Sequence, residues 1–185
     1  MKRAFRERAM SRLYADLESA DFDVREYALF QLALMLRRSQ SASLSADWTD
    51  YDSEHLSRDL LRIRLSPAEQ KRIVRHLARM ISRFAESRPS AFWALSEVSA
   101  QVGSDTAASA IAELGDQLND TAAYQACRAL LKWLDSDDVA VKYASEVLAD
   151  PGLLPMLRRW SRSSEVRLAK SANAVIIRAQ RSGNR

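Results

Sequence analysis

The stretch DFDVREYALFQLALMLRR, residues 21–38, alternates charge at its start and then runs from Tyr27 to Leu36 with Gln31 as the one polar interruption. Spacing of three to four residues makes it a helix, and its apolar side chains leave only a narrow polar strip. A helix of that kind must be covered on most sides. A bilayer cannot be the cover, because ten residues span only about 15 Å and Arg37-Arg38 closes the run. The cover must be other helices, stacked against more than one flank.

Composition supports a helical surrounding. With only four Gly and four Pro in 185 residues, the chain lacks the punctuation that many tight β-turns require. Its 47% hydrophobic content is enough for one sizeable core. The expected organisation is one helical domain over residues 1–181, with an irregular Ser- and Asp-rich loop at 39–52 and a frayed end at 182–185. The N-terminus MKRAFRERAMSRLYADLE is cationic but has no apolar h-region, and no segment is long enough to cross a bilayer. The single cysteine, Cys127, excludes an intrachain disulfide framework and suits a reducing cytoplasm. It reads as a small buried hydrophobe, since no histidine lies near it in sequence. A soluble, cytoplasmic protein is expected.

Helix starts recur at short intervals. In LSPAEQKRIVRHLARMISRFAE, Ser66 is the N-cap, Pro67 fills the first helical position and Glu69 completes a capping box. Asp150 and Pro151 repeat the device, and further caps are predicted at Asp21, Ser104, Asp120, Asp138 and Ser163. The pattern predicts helices at about 2–18, 22–38, 53–64, 67–86, 89–101, 105–118, 121–134, 139–149, 151–160 and 164–181, pairing as about five consecutive hairpins.

A phrase links some of these starts. Asp21-Phe-Asp-Val24-Arg25, Asp138-Val-Ala-Val141-Lys142 and Ser163-Ser-Glu-Val166-Arg167 each read cap, two residues, Val, cation, with Ala28, Ala144 and Ala169 three or four positions beyond the Val. The cap satisfies free N–H groups, Val and Ala offer a narrow face for close contact, and the cation points outward or reaches an acid on an adjacent repeat. This resembles the D-x-x-V-R-x-x-A phrase of HEAT-type repeats. The resemblance implies an all-α fold, a short right-handed α-solenoid of about five stacked antiparallel hairpins. Val141 and Val166 lie 25 residues apart, closer than the roughly 40–47 of one such repeat. Either the helices are short or the phrase marks both members of a hairpin.

Charge is distributed unevenly around a net +4. Residues 101–150 carry nine acids against three cations, and residues 151–185 carry eight cations against one acid. Such polarity steers partners or joins neighbouring layers. On the helix at 67–86, Arg72, Arg75, His76, Arg79 and Arg83 fall within about 100° of arc, with no acid between Lys71 and Ala85. Like charges at i,i+4 cost a few tenths of a kcal/mol each, so the ridge is expected to meet an anion: the acidic segment, a protein, or nucleic-acid phosphates. Arg158, Arg159, Arg162, Arg167, Lys170, Arg178 and Arg181 raise the same possibility near the C-terminus, a basic groove if they share a concave surface with the ridge, against a plainer role as favourable charges at helix ends.

Among the tryptophans, Trp93, Trp133 and Trp160 lie in apolar runs and read as core, whereas Trp48 in the acidic loop is a candidate to stack on a base or seat in a partner. The loop acids in DWTDYDSEH lack the spacing of a calcium loop, so no metal and no cofactor is expected. No Ser-His-Asp or Cys-His arrangement and no phosphate-cradling glycine loop is visible. The expected function is therefore a non-catalytic scaffold for protein–protein interaction, with anion or nucleic-acid binding through the arginine-rich, basic surface as the alternative. No membrane partnership is expected; end-to-end self-association is a further expectation if a terminal helix exposes an apolar strip.

Overall fold

The computed structural model describes residues 2–40, 60, 63–136 and 140–183. Among them the regular elements are all helical: α1 (Lys2–Leu17), α2 (Phe22–Gln40), α3 (Pro67–Arg83), α4 (Arg88–Ser96), α5 (Ala100–Leu114), α6 (Asp120–Leu134), α7 (Ala140–Ala149), α8 (Leu153–Trp160) and α9 (Val166–Gly183). Short 3₁₀ turns at Ala85–Ser87 and Gly115–Gln117 follow α3 and α5. None of these helices is long and apolar enough to cross a membrane. The predicted helix at 53–64 and the predicted cap at Asp138 lie outside the described residues, apart from Leu60, Ile63 and Arg64.

Local chemistry explains most boundaries. Ser66 accepts from the Glu69 amide, and the Glu69 carboxylate accepts in return from the Ser66 amide at 2.7 Å, completing the predicted box in front of Pro67. Asp21 caps α2 through the amides of Asp23 and Val24, and Asp150 accepts from Gly152 and Leu153 ahead of α8. Three predicted caps shift: α9 begins at Val166, capped by Glu165, whose carboxylate accepts from the Leu168 amide, while Ser163 accepts from the Glu165 amide. Helix α5 begins after Ser99 rather than Ser104, and α6 is capped by Asn119, whose side chain accepts from the Ala122 amide, so Asp120 is the first helical residue. Ser104 is instead buried one turn inside α5. The helix expected over 67–86 stops at Arg83, because Phe84 adopts an extended conformation that feeds the 3₁₀ turn. Helix α9 runs to Gly183, past the predicted end at 181, and residues 184–185 of the expected frayed end lie outside the described residues.

Helices touch in a regular order. Helix α2 meets α4, α4 meets α6, and α6 meets α9; α1 lies against α2, α3 against α4, and α5 against α6. Helices α3, α5 and α8 also touch in succession, and α7 and α8 both rest on α9. Arg6 of α1 reaches Glu69 of α3 at 2.7 Å, and Tyr14 of α1 stacks on His76 of α3. One cluster of buried side chains runs from Met10 to Ala179. Within α2, Ala28, Leu29 and Leu32 to Leu36 are buried, Phe30 and Gln31 are half-buried, and Tyr27 at the start of the run stays exposed, so only the second half is covered on every flank.

The repeated phrase behaves differently from its reading. Val24, Val141 and Val166 are all solvent-exposed, while Ala28 and Ala144 are buried and Ala169 is half-buried. Close helix approach uses the alanines alone; one residue per 100° carries the Val to the outer side of the first turn. Arg25 reaches inward. Its guanidinium is 1% exposed, donates to the carbonyls of Ser19 and Ala20 and to Ser87 Oγ, pairs with Glu86, and lies 4.2 Å from the Phe84 ring centre. It thereby ties the turn before α2 to the turn after α3, and its pairing with Glu86 is one of the two placements, outward or onto an acid, that the sequence left open.

Candidate functional site

The arginine ridge is present on α3, and its members have different environments. Arg83 is neutralised by Glu18, in the turn after α1, at 3.0 Å and lies over the Phe84 ring. Arg72, Arg75 and Arg79 are exposed, and no acid among the described residues forms an ion pair with them. Together with His76, Ala78 and Thr106 of α5 they line a shallow depression of about 460 Å³. Arg79 donates to His76 Nδ1 at 2.8 Å, which requires that nitrogen to be unprotonated. Burial, then the charges of Arg79 and Arg72, lower the His76 pKa; Glu18 opposes them and loses.

Arg158, Arg159 and Arg162 border a different depression beside Trp160 and Asp120. It shares no lining residue with the ridge, so these two arginine sets do not meet in one cleft. Arg159 pairs with Asp116, an acid of the 101–150 segment. Arg178 pairs likewise with Asp135 of that segment, donating through Nε at 2.7 Å. Part of the uneven charge therefore joins successive helices, as one of the two sequence readings held. Trp48 and the loop acids from Asp47 to His55 lie outside the described residues. Among the described residues no cluster of His, Cys, Asp and Glu is arranged to hold a metal.

Another concavity was legible in the sequence only through Arg178 and Arg181. It is a groove of about 940 Å³ lined from α2, α4, α6 and α9. Its floor is built of Trp93, Tyr124, Leu131 and Ile177. Five cations rim it, Arg37, Arg128, Lys132, Arg178 and Arg181, against two acids, Glu97 and Asp135. Both acids are engaged: the largely buried Glu97 with Lys132, and Asp135 with Arg178. Arg128 and Arg181 are exposed and form no ion pair with any acid among the described residues.

Helical spacing assembles this surface. On α6, Tyr124, Arg128, Leu131 and Asp135 follow at intervals of four, three and four, and on α9 Ala174, Arg178 and Arg181 repeat the rhythm. They stand on the outward sides of helices whose opposite faces are buried, with Asp135 at the C-cap of α6. The spacing was readable, but AAYQACRALLKWL presents itself as a core helix, and it is one: Ala126, Cys127, Ala129 and Leu130 are fully buried. Trp133 and Trp160 are core as expected, and the Trp133 indole donates to the Val98 carbonyl at 3.0 Å. Trp93 is corrected: it is half-buried, stacked on Phe30, and faces the groove. Burial pushes the Cys127 thiol up to about 12, which makes it a poor nucleophile at neutral pH.

Comparison with known proteins adds no relative: no protein family, no curated protein and no solved structure matches the chain.

Proposed function

We propose that the chain is a short HEAT-like solenoid of stacked helical hairpins that serves as a non-catalytic scaffold, in a reducing cytoplasm, holding a segment of a partner protein in the groove of α2, α4, α6 and α9. The contact order of the helices supports the solenoid. Helices α2, α4, α6 and α9 form one row and α1, α3, α5 and α8 the other, each row touching in succession. The observation that carries the functional reading is the groove itself: its side chains come from every helix of one row, which is the surface that a stack of repeats presents to a ligand. The role assigned involves no bond making or breaking; it needs only shape, charge and an apolar floor.

Site-directed photocrosslinking tests this reading. A benzophenone amino acid at Gln125, within the groove, should capture one protein at near-stoichiometric yield from the native cell at moderate salt; the same probe at Ser145 on α7 should not. Equal capture from both positions, or none from either, would overturn the scaffold.

The ridge supports a second reading, anion or nucleic-acid binding, because Arg72, Arg75 and Arg79 line a depression with no acid in its wall. Labelled duplex, single-stranded DNA and RNA titrated at two salt concentrations should show affinity that falls steeply with salt. With three phosphate contacts the log–log slope would be about −2 to −3. No binding at low salt removes this reading and leaves the scaffold standing.

A further inference from the structure

The groove combines features that select among protein partners. Its two exposed, acid-free cations, Arg128 and Arg181, stand on α6 and α9, and Ile177, which lines the same groove, has 40% of its surface open to solvent. A large aliphatic side chain left exposed amid guanidinium groups is an unfavourable surface for the unbound protein. Covering it recovers apolar area at about 25 cal/mol per Å². Trp93 and Leu131 extend the apolar floor, both half-buried, so a ligand side chain inserted there meets carbon on several sides.

The charge pattern narrows the occupant further. Lys132 and Arg178 are held by Glu97 and Asp135, which leaves Arg128 and Arg181 as separated anion contacts beside the apolar floor. A nucleic-acid strand carries a charge at every nucleotide, so a strand laid along the groove would set phosphates near Glu97 and Asp135 as well as near the cations. The ridge on α3, with no acid in its wall, suits phosphates better. A protein segment with spaced carboxylates and one intervening apolar residue satisfies both the cations and the floor.

Resting on the scaffold reading, we propose that the groove recognises an acidic peptide segment of a partner protein that carries a large aliphatic or aromatic residue, its carboxylates on Arg128 and Arg181 and its apolar side chain on Ile177 and Trp93.

A displayed library of random twelve-residue peptides tests this directly. Selection on the full chain, with depletion on the Arg128→Glu/Arg181→Glu variant, should enrich peptides of net negative charge bearing at least one Leu, Ile, Phe or Trp. Fluorescence anisotropy on a synthetic copy of the most enriched peptide should show at least tenfold weaker binding to that variant. Ile177→Asp should weaken binding by a similar factor, and replacing the peptide's apolar residue by Ala should do the same. All three altered groove positions are exposed, so circular dichroism melts should match the parent chain. Enrichment of neutral or basic peptides, no enrichment, or affinity indifferent to the double charge reversal would overturn the proposal. Displacement of the peptide by a twelve-nucleotide poly-dT at lower concentration would overturn it in favour of nucleic acid. These outcomes are separable from failure of the scaffold itself: capture at Gln125 of a partner segment that is not acidic would sink the inference and leave the scaffold intact.

Discussion

Arg25 joins two turns through a buried guanidinium. A guanidinium that is 1% exposed survives because two carbonyls, Ser87 Oγ, Glu86 and the Phe84 ring satisfy it together. Glu86 is half open to water, so removing its partner strands no buried charge; the loss lies in three orphaned acceptors and the missing stem. Arg25→Ala should therefore cost about 2–3 kcal/mol in urea unfolding, below the 3–5 typical of a fully buried pair. Tyr143 poses the opposite case. Its hydroxyl is buried with no hydrogen-bond partner among the described residues, and burial raises its pKa further. Tyr143→Phe should leave stability within about 1 kcal/mol or raise it, by the same urea measurement, since no bond is lost. His76 makes stability depend on pH. Its folded pKa lies below its ordinary 6.5, so the unfolded chain holds more protons in between. Stability is full above that value and falls as pH drops from it through the lowered folded pKa. Melting temperatures from about pH 5 to 7.5 should show this slope, and His76→Gln should flatten it.

At the scale of the element, α3 is the best-specified helix. Ser66, Pro67 and Glu69 fix its start by local bonds alone, which is why the sequence located it to the residue. Ser66→Ala should cost about 1 kcal/mol. Burial would raise the Glu69 pKa, but the Ser66 hydroxyl and amide and the Arg6 guanidinium outweigh it and hold the carboxyl low. Stability from Glu69 is thus present above its unfolded 4.5 and lost as pH falls through the folded value, and calorimetry of Ser66→Ala should show a shallower acid loss. Helices α5 and α6 were misjudged at their starts because several polar residues in each region can cap, and tertiary contact chose among them. Gly115 shows how close that contact is: a Cβ there would lie 2.5 Å from Met156 Cε of α8, so a bare backbone is what allows the turn after α5 to meet α8.

On the scale of the whole molecule, charge is apportioned between holding and binding. Acids of the 101–150 segment hold Arg159 and Arg178, and the turn after α1 supplies Glu18 to Arg83, while Arg72, Arg75, Arg79, Arg128 and Arg181 have no such acid partner among the described residues. Exposed pairs contribute little to stability. Asp135→Asn should therefore shift unfolding by under about 1 kcal/mol, yet strengthen binding of an acidic peptide several-fold by releasing Arg178 into the groove. Isothermal titration on variant and parent reads the binding difference separately from stability.

Periodicity and caps made the all-helical class, most helix spans and the burial of residues 32–36 legible, because these depend on neighbours within one turn of chain. The α3 ridge was legible for the same reason. The groove was not. Arg128 and Arg181 are 53 residues apart, and what makes them one site is that α6 and α9 lie side by side. Likewise Val24, Val141 and Val166 match in sequence but face solvent, and Arg25 matches two exposed cations but is buried. Local spacing sets which residues share a face; only packing between distant helices decides which faces are covered, because burial is a property of the neighbour that arrives.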